Sequence, residues 1–453
     1  MRVAVLGGGI AGLSAAYFLE KRYGDFIQVH LYEKKEEVGG WVQTEQLGPH
    51  LLEHGARSLR PGPRAPLLFP LMRELELTGA IELPAPEASQ RYLYREGQLQ
   101  KVPNSIREYL FSPLFRKTAF SLLTEWSRRK GERDDETIAA FFRRRLGDFI
   151  TDELVDSLVT GIFAGDIEEL SVKSCFPMLY QMEKEKGSFT RTLLSQKRVS
   201  PPEGTPEWQK APFFTFKGGM RRLPEAFKAA LRCPIFYGES AVRLQFQENL
   251  AVVTTDKREE RYHLVISALP APLLSALLPG KHEAIKKTLA ATSYNSIATA
   301  HLIYDRPVLK FPGFGHLVPK NADPRVLGIV YDSSAFGKES LGTKLSVMMG
   351  GSRYPEVVST SEQALLQTAK EAVEKMLRIS AVPAYQKLLL AEQAIPQYTL
   401  GHEKRLQFLL DTLPKEIPQL ALAGSSYYGV SVPEIIASSH LLVSSLTATV
   451  TKV

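Results

Sequence analysis

Cysteine is nearly absent: only Cys175 and Cys233 occur in 453 residues. Two cysteines cannot build a disulfide framework, and their spacing is not that of metal ligands. Free thiols in a reducing compartment are therefore expected, and no metal site. Also missing is any run of roughly 18 uncharged apolar residues, which excludes a helix crossing a bilayer. His54, His316 and His402 have no nucleophile or carboxylate arrangement that would mark them as catalytic bases. The formal net charge of +7 is diffuse. It favours anionic substrates or anionic lipid and does not argue for nucleic acid. A strand begins directly after Met1, so no signal or transit peptide is expected. What remains is an ordinary globular composition on a chain long enough for two or three packed domains.

The first 33 residues carry the strongest local pattern. Residues 3–6 (VAVL) form the short apolar run of a buried parallel strand. They lead into Gly7, Gly8, Gly9, Ile10, Ala11 and Gly12, a G-x-G-x-x-G loop, and a helix follows over 13–21. A second strand over 27–32 ends at Glu33, 21 residues after Gly12. The first glycine permits the tight turn, the second lets backbone approach a pyrophosphate, and the third lets helix and strand pack closely. Unpaired N–H groups and the helix dipole then hold the negative charge. An acid at Glu33 can bond ribose hydroxyls and argues against a 2′-phosphate. The unit therefore binds a dinucleotide, and the motif alone does not distinguish FAD from NAD.

The following segment does. Gly39, Gly40 and Trp41 form a second glycine block. A turn at Gly48 and Pro49 then precedes residues 51–58, which include Gly55, Ala56, Arg57 and Ser58. This order resembles the flavoprotein superfamily of amine oxidases and protoporphyrinogen oxidases, although most members carry arginine where Trp41 stands. The resemblance implies that both blocks lie against FAD phosphates and the ribityl chain. Near the other end, residues 420–424 read as a strand ending in glycine, followed by Ser425 to Pro433 and a helix over 434–447. Pro433 suits a first helical turn. The positive end of that helix fits a flavin ring that gains negative charge on reduction. By resemblance Ser425, Val430, Ser431 and Val432 contact the cofactor. Residues 238–244 and 250–255 alternate like a hairpin, and 262–268 read as a buried strand. The resemblance puts the adenine beside the first of these, at Val242.

Further blocks narrow the likeness to the family of oxygen-dependent protoporphyrinogen oxidases, over essentially the whole chain. They are residues 91–94 (RYLY), 161–166 (GIFAGD) with Leu170 and Ser171, and 175–177 (CFP). Later come 313–319 (GFGHLVP), 326–332 (VLGIVYD), 347–351 (VMMGG) and 395–402 (IPQYTLGH). The substrate this implies, protoporphyrinogen IX, is a flat apolar macrocycle with two propionates, and it needs apolar walls and a cation. Arg91 matches the family's propionate-binding arginine, whose planar fork suits a carboxylate. Phe314, Leu317 and Met348 match pocket-lining positions, and Gly165 matches a turn whose backbone approaches the macrocycle. The implied reaction passes hydride from a meso carbon to FAD, with O2 as acceptor and H2O2 as product. Three rounds remove six electrons, and the cofactor carries the chemistry.

Residues 107–145 interleave aromatic and basic side chains: 109–115, 120–123 and Trp126 with Arg107, Arg116, Lys117, Arg128, Arg129 and Lys130. Such a stretch suits peripheral contact with an anionic bilayer. A helical domain packed on the cofactor domain is the plainer alternative. The expected fold is α/β (α+β): a Rossmann-like FAD domain, a mixed-sheet substrate domain and a helical, membrane-associated domain. Expected bounds are 1–85, 215–275 and 400–453 for the first, 86–105 and 276–399 for the second, and 106–214 for the third. Charge and proline make 188–212 a surface loop. A homodimer, hand-over to ferrochelatase and a place on the cytoplasmic inner-membrane face, or the mitochondrial inner membrane, go with the resemblance. Its rivals are a coproporphyrinogen III oxidase, an amine oxidase and a flavin-free binding protein of the same fold. The amine oxidase lacks support, since no lysine occurs over 297–302 and no C-terminal cysteine is present.

Overall fold

Residues 3–6 are apolar on both faces, as a strand covered from two sides requires. A computed structural model places them at the middle of a five-stranded parallel sheet. It describes residues 1–104, 108, 112, 118, 121, 124–195, 202 and 204–446. The chain forms two compact units, one of Met1–Leu83, Pro206–Ser293 and Lys404–Val453, the other of Pro84–Thr205 and Tyr294–Glu403.

In the first unit the strand order is Leu420–Leu422, Leu264–Ser267, Arg2–Leu6, Gln28–Tyr32 and Ile235–Phe236, all parallel. Alternation along the strands feeds two cores. Val3, Val5, Val29, Leu31, Leu264 and Ile266 face the helices Ile10–Tyr23, Arg222–Ala230 and Val432–Ser445. Ala4, Leu6, Tyr32 and Val265 face the opposite layer. That layer holds the antiparallel strands Ala241–Gln247, Leu250–Thr255 and Glu259–Tyr262 and the helices Ala271–Leu277 and Glu283–Ala290. Each fully buried Leu or Ile contributes about 1.5–3 kcal/mol. The expected hairpin is present, but its first strand starts at Ala241 rather than 238. Gly238 sits in a turn at φ +55 with Glu36 Oε1 2.4 Å from where a Cβ would be.

The second unit is built on a seven-stranded sheet, in the order Tyr385–Pro396, Tyr294–Tyr304, Thr343–Gly350, Val326–Val330, Gly315–Leu317, Arg91–Arg95 and Gln98–Val102. Every pairing is antiparallel except that of Gly315–Leu317 with Arg91–Arg95. Helix Glu362–Leu377 covers one face over Tyr92, Tyr94, Ala298, Ala300, Ile329, Val347 and Met349. The unit also contains helices Ile138–Leu146, Asp156–Phe163 and Pro177–Lys186. Arg145 and Glu183 are wholly buried and paired at 3.2 Å, and Arg145 also pairs with buried Glu125. Arg144 bonds Glu183 at 2.6 Å and Glu136. A single ion pair buried this deeply would struggle to repay its desolvation; a network that shares the charge of both arginines among several glutamates does so more readily. No helix of the described residues is long and apolar enough to cross a membrane. Residues 105–107, 109–111, 113–117, 119, 120, 122 and 123, and with them most of 107–123 of the interfacial stretch, lie outside the described residues. So do 196–201 and 203 of the proline-rich segment. Trp126 is exposed.

Candidate functional site

The first unit holds a cradle lined by backbone. Gly7 turns the chain at φ +101, and its N–H donates to Tyr32 O. A Cβ on Gly12 would lie 1.8 Å from Gly7 O, so only glycine lets helix Ile10–Tyr23 close on the first strand. Gly9 is the N-cap of that helix and offers no side-chain acceptor, and the first turn carries no acid. The first-turn amides of Ile10, Ala11 and Gly12 therefore keep their positive end for an outside anion.

The second glycine pair lies directly over this loop. Gly39 N–H donates to Gly8 O at 2.8 Å, and Gly9 bridges Gly39. Gly40, at φ +61, would put a Cβ 3.2 Å from Gly9 Cα, so a side chain at Gly40 would crowd the first loop. The third loop joins them, because a Cβ on Gly55 would meet Trp41 O at 2.4 Å. Ala56, Arg57 and Ser58 follow, each partly buried. Glu53 anchors this loop: its oxygens accept from Met220 N–H at 2.9 Å and Thr44 Oγ at 2.8 Å. That anchoring was not legible in the sequence. Glu33 is buried, and its two carboxylate oxygens accept from Gly8 N–H at 2.7 Å and Lys35 N–H at 2.8 Å. A carboxylate has about four lone-pair sites, so capacity remains for ribose hydroxyls.

The C-terminal segment reaches the same loop. A Cβ on Gly424, at φ +104, would lie 3.4 Å from Ala11 Cβ, and Ser439 Oγ donates to Ala11 O. Helix Val432–Ser445 starts two residues earlier than expected. Its start sharpens the roles of the predicted contacts there. Ser431 is the N-cap, with its hydroxyl committed to a capping box with Glu434, and the Val432 side chain is in the core. Pro433 has no N–H, while Glu434 and Ile435 donate to Ser431. The Val432 amide is thus the remaining first-turn donor for a flavin ring. Val242 is 52% exposed, at the point where its strand slips register between Ala241 and Arg243. A bulge there turns an apolar side chain out of the sheet. The residues present fit FAD: glycines where backbones close on one another, free helix amides, an acid beside the loop and an open apolar position.

In the second unit the predicted substrate residues gather on the sheet face opposite helix Glu362–Leu377. Gly315 pairs with Arg91, Leu317 with Leu93 and with Gly328, and Gly328 with Met348. Register therefore sets Arg91, Leu317 and Met348 on one side. Phe314 precedes this strand, and the Arg91 guanidinium lies 5.8 Å from its ring centroid. No carboxylate pairs with Arg91 among the described residues. Helix Asp156–Phe163 packs on this face: a Cβ on Gly161 would lie 2.9 Å from Leu317 Cδ2. At its end Ala164 shares a cluster with Ile297, Leu327, Met348 and Ile395. Gly165 is buried, and Gln397 Oε1 stands 2.3 Å from where its Cβ would be. Sequence reasoning missed Gln397 and Asn295, whose carboxamides hold this turn.

The histidines occupy structural positions. His316 points into the helix-covered core, where Nδ1 meets Tyr331 OH at 2.7 Å and Nε2 meets Met376 Sδ at 3.4 Å. Burial pushes its pKa down to about 3, so it is neutral at ordinary pH. His402 stacks on Tyr398 at 4.1 Å, and His54 lies 3.7 Å from Glu45. Burial pushes both cysteine thiols up to about 12, which makes them poor nucleophiles.

Known proteins match this architecture along its whole length. The family of flavin containing amine oxidoreductases matches residues 10–441. A Homo sapiens protoporphyrinogen oxidase is 36% identical over 467 aligned residues, covering 97% of this chain and 96% of that protein. A Bacillus subtilis coproporphyrinogen III oxidase is 25% identical, covering 98% and 97%. The crystal structure of an Exiguobacterium sp. 255-15 protein superposes with a TM-score of 0.83 at 25% identity, covering 98% of both chains. The chain therefore belongs to the flavin containing amine oxidoreductases and, among them, to the family of the protoporphyrinogen oxidases.

Proposed function

We propose that this protein oxidises protoporphyrinogen IX to protoporphyrin IX, with O2 as acceptor and H2O2 as product. The observation that carries the reading is the shared sheet face of Arg91, Leu317 and Met348, with Phe314 under the guanidinium. Arg91 holds a propionate by its planar fork, and the Phe314 ring fixes the plane of that fork. Leu317 and Met348 present an apolar wall to the flat macrocycle. Gly7, Gly9, Gly12, Gly39, Gly40 and Gly55 give the backbone approach for the FAD pyrophosphate and ribityl chain, and Glu33 takes the ribose. FAD held by these residues would supply the two-electron acceptor for the substrate's hydride and the reactivity toward O2. The chain's own contribution is orientation and exclusion of water, because His316, the histidine nearest these residues in sequence, is locked neutral in the opposite core.

The test is aerobic turnover of protoporphyrinogen and coproporphyrinogen in parallel, followed by porphyrin fluorescence. Faster protoporphyrinogen oxidation is expected; equal rates, or faster coproporphyrinogen oxidation, would overturn the assignment. The coproporphyrinogen reading is the one rival with a specific motive, the 25% identical Bacillus subtilis relative. Its two extra carboxylates would meet the apolar Leu317 and Met348 wall, at the desolvation cost of unpaired charge.

Peripheral membrane contact belongs to the same proposal, motivated by the mixed apolar and basic composition of 107–145 and by exposed Trp126. It accompanies a site on the cytoplasmic inner-membrane face of a bacterium or on the mitochondrial inner membrane. A homodimer and transfer of the apolar product to ferrochelatase complete the proposal. Salt-resistant binding to anionic vesicles is expected, and a protein that stays wholly in solution would remove the membrane part.

A further inference from the structure

The turn that ends helix Asp156–Phe163 is held by more bonds than a helix terminus needs. Ala164 closes the helix at φ +49, a left-handed conformation that costs a residue with a Cβ about 1–2 kcal/mol. Its glycine neighbour does not relieve this, because Gly165 is not the residue at positive φ. Gly165 is required for another reason: Gln397 Oε1 and Leu170 Cδ1 stand 2.3 and 2.6 Å from where a Cβ would be.

Three donors from distant parts of the chain fasten the turn. Ala164 O accepts from Ser352 N–H at 2.8 Å and from Asn295 Nδ2 at 2.7 Å. Phe163 O accepts from Gln397 Nε2 at 2.9 Å, and the same amide reaches Ile395 O at 3.0 Å. Gln397 is buried. At the other end of the helix Arg353 bonds Asp156 Oδ2 at 2.6 Å and Val318 O at 2.7 Å. Burial raises the Asp156 pKa and lowers that of Arg353, so the pair stands by its geometry. Between these two anchors lie Gly161 against Leu317 and Ala164 against Met348. Strain persists only where surroundings over-determine it, and strained turns gather at ligand clamps.

We propose that Gln397 and Asn295 are positioning residues for the oxidation. Their carboxamides hold turn 163–165 against Met348 and so fix where its backbone stands beside the substrate residues of the sheet. The inference rests on the function proposed above. Neither residue touches a reacting atom. Each acts through the backbone carbonyl it binds, and the placing of the turn governs how tightly the flat substrate is held.

The experiment compares Gln397→Ala, Gln397→Glu and Asn295→Ala with wild type in full-length enzyme loaded with FAD. Rates are normalised to bound flavin, so that partial unfolding or cofactor loss drops out. The expected result for Gln397→Ala is a KM for protoporphyrinogen raised about ten-fold, the worth of one buried hydrogen bond. Its kcat per flavin should stay within about two-fold and its flavin content should match wild type. Gln397→Glu keeps the volume but loses the donor, and should behave like Gln397→Ala rather than like wild type. Asn295→Ala, a milder lesion on a strand, should raise KM about three-fold, and it keeps the question open to test if the Gln397 variants do not fold. Unchanged KM in the variants that fold, with activity falling only in step with flavin content, would overturn the proposal. If wild type itself does not oxidise protoporphyrinogen, the proposed function falls, an outcome separate from any KM shift.

Discussion

Gly9→Ala separates what the fold requires from what a bound dinucleotide requires. Gly9 has φ −72 and ψ 178, an extended conformation open to any residue. A Cβ there would find only Gly40 Cα, at 3.9 Å, an ordinary contact. The protein's own atoms thus raise no objection, and stability of the apo form should change by no more than about 0.5 kcal/mol. The new methyl nevertheless stands between the two glycine loops, where the first-turn amides of Ile10, Ala11 and Gly12 await a pyrophosphate. Displacing the ligand enough to lose two charge-assisted hydrogen bonds, at about 1.5–3 kcal/mol each, costs about 3–6 kcal/mol. That corresponds to FAD affinity lower by about two to four orders of magnitude. Urea titration of apo protein measures the first quantity. Quenching of flavin fluorescence on titration with FAD measures the second. Apo forms must be compared, because bound FAD itself stabilises by mass action. Gly12→Ala is the contrast: with Gly7 O at 1.8 Å it should damage the apo fold as well. A Gly9→Ala protein that binds FAD like wild type would refute the assignment of this space to the cofactor.

Three further outcomes are expected. Arg91→Ala should raise KM for protoporphyrinogen by at least about ten-fold while leaving bound FAD unchanged, judged from the flavin absorption at about 450 nm; loss of FAD instead would make Arg91 a fold residue. Arg145→Ala should destabilise the protein by about 3–5 kcal/mol in urea melts, because Glu125 and Glu183 would keep buried, uncompensated charge; a change below about 1 kcal/mol would show that water reaches the network. His316 predicts an acid limb. The folded protein keeps this ring neutral down to about pH 3, whereas the unfolded chain binds a proton below about 6.5. Stability from this group is therefore complete above 6.5 and falls as pH drops toward 3, by up to about 1.4 kcal/mol per pH unit. His316→Gln should flatten that slope with neutral-pH kcat within about two-fold; equal slopes in both proteins would sink the argument.

Legibility in the sequence followed the range of the interaction. The first cofactor loop could be read because its turn and helix packing are set within one short motif, as Gly12 is demanded by Gly7. The first helix began at Ile10 and the second strand ended at Tyr32, close to expectation, because apolar runs and an acid marked them. Ser431 was read as a cofactor contact, yet its hydroxyl caps its own helix, a role that the S-x-x-E spacing with Glu434 spelled out. The grip of Asn295 and Gln397 on residues 163 and 164 had no such marker, since the partners lie 131 and 234 positions apart. Equally silent was the pairing of Arg145 with Glu125 and Glu183, which packing alone brings together.

By itself the sequence determined that an N-terminal strand–loop–helix unit holds a dinucleotide, because turn, dipole and acid are local properties of neighbouring residues. Resemblance along its blocks added FAD and the macrocycle. Tertiary structure alone decided that Arg91, Leu317 and Met348 share one face of a sheet, since strand register is set by pairing between segments, which for Arg91 and Gly315 lie more than 200 residues apart. It alone decided, too, that His316 is a core residue and Gln397 a clamp, because burial and hydrogen-bond partners are properties of packing rather than of order along the chain.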